Sequence, residues 1–470
     1  MSRLNNSPQP TTSPHPEAGR PEDEPIQHPA GGTDSPAGVS RAVNLYLTGE
    51  AASLVGTGVH TVALPVLAVL YLHASPAQAA HLYLLSQIPY LVVALPAGAL
   101  VDRYPVKTVL IATDLTAAIL VAALPTTAAF HTLTMPVIYT AALALGAVTV
   151  LHQAAASVVL VQLADPAVLQ KATARQEAVL GASSTIGLYL GSGLLAVTTA
   201  ARALAVDSLS YLISAWCTSR IPPLPPAPAA RVRRTTLTSE IRDGLRYTLR
   251  DPVLRPLALC LGATGAGAGV VTAFSAWYLL AVIQIGSAGL GVIMGASGAG
   301  YLAGALTSPG LIRRLGPGRV LIVSVAVYPL LGVPLLVARP GGLWAAGLAV
   351  AGALQLAAVA CATATVRIVR QRRCAPELQA RAQQTATWLV AGSRPVAALG
   401  ASVLAPAIGV WATLLTGTLI LAASALALWL SPIRHLHRLP EPTRPVTESS
   451  PTRMPQPPTS TDADTGVVPR

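Results

Sequence analysis

Charge is scarce in this 470-residue chain: Asp, Glu, Lys and Arg make up 11% of it, against about 25% in soluble domains. A surface so poor in charge does not keep a globule of this size in water, which excludes a soluble fold. Aromatic residues reach only 4%, with two Phe. Cysteine is sparse as well. Cys217, Cys260, Cys361 and Cys374 have no CxxC spacing, so neither a disulfide framework nor a zinc site is expected. HExxH, paired-carboxylate and Ser/His constellations are lacking, and the glycine-rich stretches 262–269 and 291–304 lack the Lys-Ser/Thr and the strand–turn–helix setting of a phosphate loop. The chain is therefore not expected to be an enzyme or to hold a cofactor or metal. Its glycine runs read as surfaces for close helix packing. The first 40 residues carry eight Pro and no apolar run, so no signal peptide is expected and the first span directs insertion.

What is abundant is apolar length. Hydrophobic residues make up 52% of the chain and mean hydropathy is +0.57. About 20 apolar residues cross a bilayer core as a helix. Twelve such segments lie near 45–72, 77–101, 107–129, 135–161, 175–198, 203–219, 254–281, 288–312, 319–338, 341–366, 383–406 and 409–430. The fold class is thus an all-α membrane protein of twelve transmembrane helices.

A net charge of +12 raises nucleic-acid binding, and position argues against it. When residues 1–40 are placed inside, 28 of the 31 Lys and Arg fall on that side, Arg202 and Arg339 fall outside, and Arg394 lies within a span. This is the positive-inside pattern, which puts both termini in the cytoplasm of a cell-membrane protein. Attraction to anionic lipid headgroups follows, and no nucleic-acid partner is expected.

The tails, 1–40 and 431–470, are rich in Pro, Ser and Thr and read as disordered. Segment 221–252 separates an N-terminal half, 41–220, from a C-terminal half, 253–430. It opens with the stiff run Ile221-Pro-Pro-Leu-Pro-Pro-Ala-Pro228, and its part 239–250 reads as an amphipathic helix on the membrane surface. Six spans on each side fit two parallel halves related by an axis along the membrane normal. A shift of 212 residues lays Gly98 on Gly310 and Lys107 on Arg319. The second-half loop has no aspartate.

The loop Gly98-Ala-Leu-Val-Asp102-Arg103-Tyr-Pro-Val-Lys107 resembles the signature loop of the major facilitator superfamily. The resemblance implies a transporter in which Gly98 permits tight helix approach while Asp102, Arg103 and Lys107 gate the rocking of two halves. Ser53-Leu-Val-Gly56 with Ala63-Leu-Pro65, Leu169-Gln-Lys-Ala-Thr-Ala174, and 240–246 with Asp251-Pro-Val-Leu-Arg255 resemble the macrolide-efflux and enterobactin-exporter-like branch. Two positions depart from it. Thr57 stands where the branch has an acid, and Gly187-Leu-Tyr-Leu-Gly-Ser192 replaces a Gly-Pro-x-x-Gly-Gly antiporter signature. Glu50, seven residues before Thr57 and on the same helical face, can supply the missing carboxylate.

Ionisable residues inside spans are costly and are functional suspects by default. Glu50, Asp114 and Asp207 are the proton-coupling candidates. Glu50 reads as a proton carrier or an interfacial acid, Asp114 as a partner of the cationic loop after span two, and Asp207 as a partner of Arg202. His60 and His152 read as groups titrating near neutral pH or as packed histidines. Arg394, about 16 Å deep at 1.5 Å per residue, is an anion site or a structural clamp. With Gln87, Gln153, Gln284, Gln355 and Gln384, and with Trp277 and Trp388, these residues suggest a cavity for an amphipathic molecule. The glutamines equally serve interhelical bonding. The expectation is a monomeric, proton-coupled secondary transporter, an antiporter of the multidrug-efflux kind that exports a small hydrophobic or amphipathic drug, antibiotic or siderophore. The alternatives are an uptake or lipid-moving permease of the same fold and a non-transporting membrane sensor.

Overall fold

The computed structural model describes residues 36–101, 103–163, 166–223, 246, 250–251, 254–373 and 376–436. The expected tails fall outside them, apart from 36–40 and 431–436. So does all of the expected surface helix at 239–250 except Arg246 and Arg250.

In hydrocarbon every backbone N–H must be satisfied within its own segment, so apolar runs of this length become helices. The N-terminal half holds α1 (Pro36–Val66), α2 (Pro76–Val92), α3 (Ala94–Val101), α4 (Val106–Ala129), α5 (Met135–Leu163), α6 (Pro166–Val197) and α7 (Ala200–Ser219). The C-terminal half holds α8 (Leu254–Trp277), α9 (Gly286–Leu315), α10 (Pro317–Val337), α11 (Gly342–Arg373), α12 (Pro376–Ile408) and α13 (Val410–Leu430). Helices α2 and α3 are one rod interrupted at Val93. Pro96 has no N–H to offer the Val92 carbonyl, which accounts for the break. Twelve rods result. Among the described residues ten helices are long and apolar enough to cross a membrane; the divided second rod and α7, with Arg202 and Asp207, fall short of that measure.

Local chemistry sets the ends. Ser75 and Gln78 form a reciprocal capping box at α2, and the Thr199 side chain accepts from the Arg202 N–H at α7. Gly316 and Gly409, at φ +84° and +86°, turn the chain between consecutive rods in a single residue, a conformation only glycine adopts freely.

Call the side bearing Pro36, Leu436 and residues 103–105 the terminal face, and the opposite side the distal face. Several rods run past their expected ends toward the terminal face: α6 starts at Pro166 rather than 175, α12 at Pro376 rather than 383, and α11 ends at Arg373 rather than 366. Hydropathy marks where lipid stops. Helical hydrogen bonding continues through the polar residues beyond.

Within the first half α1 packs on α6 and α7, and α4 on α5 and α7. Within the second, α8 packs on α12 and α13, and α9 and α10 on α11. The repeat appears in the backbone. Spans α1 and α8 end in π-helical turns, Leu67–Tyr71 and Tyr278–Val282, followed by His73 and Gln284 at φ +52° and +59°. The register of these features is 211, one less than the sequence echo. The starts of α4 and α10, Val106 and Pro317, keep the same register, so Lys107 falls on Gly318 rather than Arg319.

The halves meet through α6 on α9, α2 on α8 and α12, and the two π-turns against each other. Trp277 Nε1 donates to the Ala74 carbonyl at 2.8 Å, Ser287 Oγ to the Leu195 carbonyl at 3.4 Å, and Thr185 Oγ1 to the Gly298 carbonyl at 3.2 Å. The first two bonds lie at the distal face and the third deeper in the bundle, so the described contacts seal that face.

Large apolar side chains such as Ile119, Leu306 and Val403 are 70%, 74% and 71% exposed, as lipid-facing positions are. Small residues fill the joints instead. Gly304 lies so close to α11 that a β-carbon there would fall 2.6 Å from Ala357 Cα. Gly304→Val is expected to cost about 1–3 kcal/mol, read as a lowered thermal-unfolding midpoint of the purified protein. Gly310→Ala, with nothing within 4 Å, should leave that midpoint unchanged.

Candidate functional site

Five helices of the first half converge on a buried polar cluster. Glu50 of α1 and Asp114 of α4 are 8% and 1% exposed. Between them stands His152 of α5, with Nε2 3.3 Å from Glu50 Oε2 and Nδ1 3.3 Å from Asp114 Oδ1. Thr113 Oγ1 lies 3.1 Å from the same Nδ1, and Ser214 of α7 faces Asp114. Tyr46, one turn before Glu50, faces both acids and Gln176 of α6. Asp114 lies eight residues into α4 and His152 eleven residues from the end of α5, about 12 and 16 Å from the terminal-face ends at 1.5 Å per residue. One imidazole therefore serves two carboxylates, and a protonated ring neutralises one of them. Asp114 Oδ2 and Tyr46 Oη are buried with no hydrogen-bond partner. The cluster can thus take up or release a proton without dismantling a saturated network.

A second acid–histidine pair sits closer to the distal face. Asp207 of α7, fully buried, has Oδ2 3.4 Å from His60 Nδ1. That distance is an ion-pair approach, without hydrogen-bond geometry on either atom. Gly56 makes the approach possible, since a β-carbon there would fall 2.5 Å from Asp207 Oδ1. Thr57 Oγ1 lies 3.2 Å from Tyr211 Oη, and Tyr211 in turn faces both Asp207 and Asp114. A tyrosine and a threonine thus stand between the two acid sites.

Across the bundle, Arg394 of α12 is exposed although it shares a helical face with buried Pro395, Ala398, Ala401 and Ala405. The lipid-facing Val396, Leu399 and Val403 lie on the opposite face. Its exposure is therefore to the space between the halves. The guanidinium is within electrostatic reach of Tyr83 and Tyr90 of α2 and of Tyr328 of α10. Tyr90 faces Gln153, and Tyr83 faces Thr272 of α8.

A Major Facilitator Superfamily profile matches residues 47–386. The chain belongs to that superfamily. Among solved structures it is similar to the nucleoside transporter NupG, at 14% identity and TM-score 0.65, covering 83% of this chain and 99% of that one. It is similar to a bacterial homologue of the iron transporter ferroportin in an inward-facing state (12%, 0.61, 83% and 98%). A bacterial homologue of the human lysosomal transporter Spinster, inward-facing and unoccupied, is also similar (12%, 0.57, 85% and 96%). No curated protein matches. At these identities the likeness speaks for the fold. The chain is a multi-pass membrane transporter rather than an enzyme, and members of its superfamily bind small molecules.

Several residues of this transporter have partners other than those expected. Asp114 faces His152 rather than the cationic loop, because it is two helical turns deeper than Lys107. Lys107 Nζ itself donates to the Ser219 carbonyl at 2.8 Å and to that of Ile221, capping the C-terminus of α7. Asp207 meets His60 rather than Arg202, since five residues along a helix rotate the two onto different faces. Trp277 is spent on the distal seal. Gln284 lies in the exposed loop after α8. Gln355 Nε2 donates to the Tyr328 carbonyl at 3.0 Å, a packing bond between α11 and α10. Gln87 is half-buried on α2, one turn from Tyr83 and Tyr90. Gly98 is within α3, and Arg103 is exposed in the turn that follows. Asp102 lies outside the described residues, as do the side chains of Gln384 and Trp388.

The tyrosines were missed. Twelve Tyr against two Phe is the signal that carried them, since a bundle needing only apolar bulk has no use for so many hydroxyls. Removing the shared imidazole tests the cluster. His152→Ala leaves two buried carboxylates without a cation, and breaking a buried pair costs about 3–5 kcal/mol. The cost exists only while the acids are ionised. The variant's thermal midpoint, measured from about pH 5 to pH 8, is therefore expected to fall as pH rises, and to fall further than that of the parent protein.

Proposed function

We propose that this transporter is a proton-driven exporter of small hydrophobic or amphipathic compounds, working in the cell membrane with both termini in the cytoplasm. The positive-inside distribution of 28 of 31 Lys and Arg supports the orientation. The observation that carries the coupling is His152 held between Glu50 and Asp114, at 3.3 Å from each. With the histidine protonated the cluster carries one net negative charge, and one further proton on a carboxylate makes it neutral. Neutral and charged forms differ in their cost inside the bilayer. Proton occupancy thereby biases the rocking of the first half against the second. Cargo leaves as protons enter, and Thr57, where the resembling branch has an acid, is relieved of that duty by Glu50 on the same helical face.

The chain's likeness to the macrolide-efflux and enterobactin-exporter-like branch supports a drug, antibiotic or siderophore-like cargo and an antiport cycle. A second reading, uptake or lipid movement on the same scaffold, is favoured by residues 187–192. There Gly187 abuts Gly58, and Gly191 abuts Val59 of α1, so the glycines serve packing and no proline completes an antiporter signature.

Inside-out membrane vesicles separate these readings. A fluorescent amphiphile is expected to accumulate when an inward-acid gradient is imposed. Glu50→Gln should reduce that accumulation by about tenfold, equivalent to about 1.4 kcal/mol, with the protein still inserted at normal levels. Accumulation that ignores the gradient in the parent protein, or is untouched in the variant, would remove proton export through this cluster.

A further inference from the structure

Among the described residues Arg394 is a cation without an anion. From residue 254 to residue 436 the chain contains one acidic residue, Glu377. It lies seventeen residues earlier on α12, about 25 Å away along the helix axis. The buried acids of the other half, Glu50, Asp114 and Asp207, are each engaged by a histidine. Among the described residues no carboxylate lies within ion-pair distance of the guanidinium.

The backbone fixes where the side chain stands. Gly269 of α8 would place a β-carbon 3.1 Å from Arg394 Cα, and Gly265 one 3.5 Å from Val390 Cα, so α12 lies flush on α8. On its other side Gly392 abuts Leu91 of α2. Between these two contacts the exposed guanidinium emerges on the inward face of α12. Tyr83, Tyr90 and Tyr328 are within its electrostatic reach, and the first two are hydrogen-bond neighbours of Thr272 and Gln153.

We propose that Arg394 is the anion receptor of the transport cavity and that the cargo is an aromatic or amphipathic molecule bearing a carboxylate. A guanidinium presents a planar fork of donors matched to a carboxylate. The tyrosines offer flat apolar faces to the body of the cargo and hydroxyls to its edges. An unpaired cation in a membrane span is expensive, and an anionic cargo relieves the expense only while it is bound. The site therefore rewards charge on the cargo rather than hydrophobicity alone. The inference rests on the transport reading, deepening it by naming the substrate class.

The test uses 2-naphthoate and its uncharged isostere 2-naphthamide, with the purified full-length protein in lipid nanodiscs and binding measured by equilibrium dialysis. Naphthoate is expected to bind about tenfold or more tightly than naphthamide, Arg394→Lys to keep part of that preference, and Arg394→Gln to abolish it. Equal binding of the two probes by the parent protein, no naphthoate binding, or a preference that survives Arg394→Gln would each overturn the proposal. If Arg394→Gln fails to fold, the ratio in the parent and lysine proteins still decides. Vesicle accumulation of a cationic dye and of labelled naphthoate is measured alongside. Gradient-driven dye transport without naphthoate preference ends the anion site and leaves the transport reading intact. Naphthoate preference with no movement of either compound supports the site and ends the transport reading.

Discussion

A carboxylate in hydrocarbon must have a proton or a cation, and the first half of this protein is arranged around that requirement. Glu50, Asp114 and Asp207 are only 8%, 1% and 0% exposed, and each faces a histidine. Histidine is the one cation whose charge changes near physiological pH without large perturbation. Lysine or arginine in the same places would make permanent clamps. With histidine, the bundle gains a charge balance that a proton can alter, and every helix contributing to it, α1, α4, α5 and α7, belongs to the same half.

The second half obeys the opposite rule. It has the same backbone plan, down to the π-turns at Leu67–Tyr71 and Tyr278–Val282 and the left-handed residues after them. Away from their terminal-face ends its helices carry a single charge, Arg394, within electrostatic reach of tyrosines instead of acids. The halves share this backbone plan and differ in chemistry, one holding buried acid–histidine pairs and the other a fixed cation. The π-turns touch where the halves meet. Local π-helix is frequent at functional sites, and a widened turn at the sealed face is a natural place for helix ends to give way when the halves rock.

The twelve spans were legible because bilayer thickness leaves a plain mark in sequence: a run of apolar residues of fixed length. Rod ends were less so, since α6 and α12 continue through polar residues that hydropathy counts as loop. The identity of suspect residues was also legible, because Glu50, Asp114, His152, Asp207 and Arg394 are conspicuous in an apolar chain. Their partners were not. Which carboxylate meets which cation depends on the rotation of each helix and on where glycines such as Gly56 allow approach, and neither is written in local composition. The same gap hid Tyr46, Tyr83, Tyr90 and Tyr211, whose roles appear only when α1, α2 and α7 stand beside α4, α5 and α12. The loop at 98–107 spoke truly for the family. Lys107 nonetheless turned out to cap a neighbouring helix.

In the proposed cycle, protonation of the first-half cluster shifts the balance between states open at opposite faces. Spin labels at His73 and Gln284, repeat-related residues exposed at the distal face, read that balance directly by double electron–electron resonance in nanodiscs. Two distance populations are expected, short and long, whose ratio changes between about pH 5.5 and pH 8, with a ratio insensitive to pH in Glu50→Gln. A single short distance at every pH, or a pH response unaltered by that substitution, would contradict it.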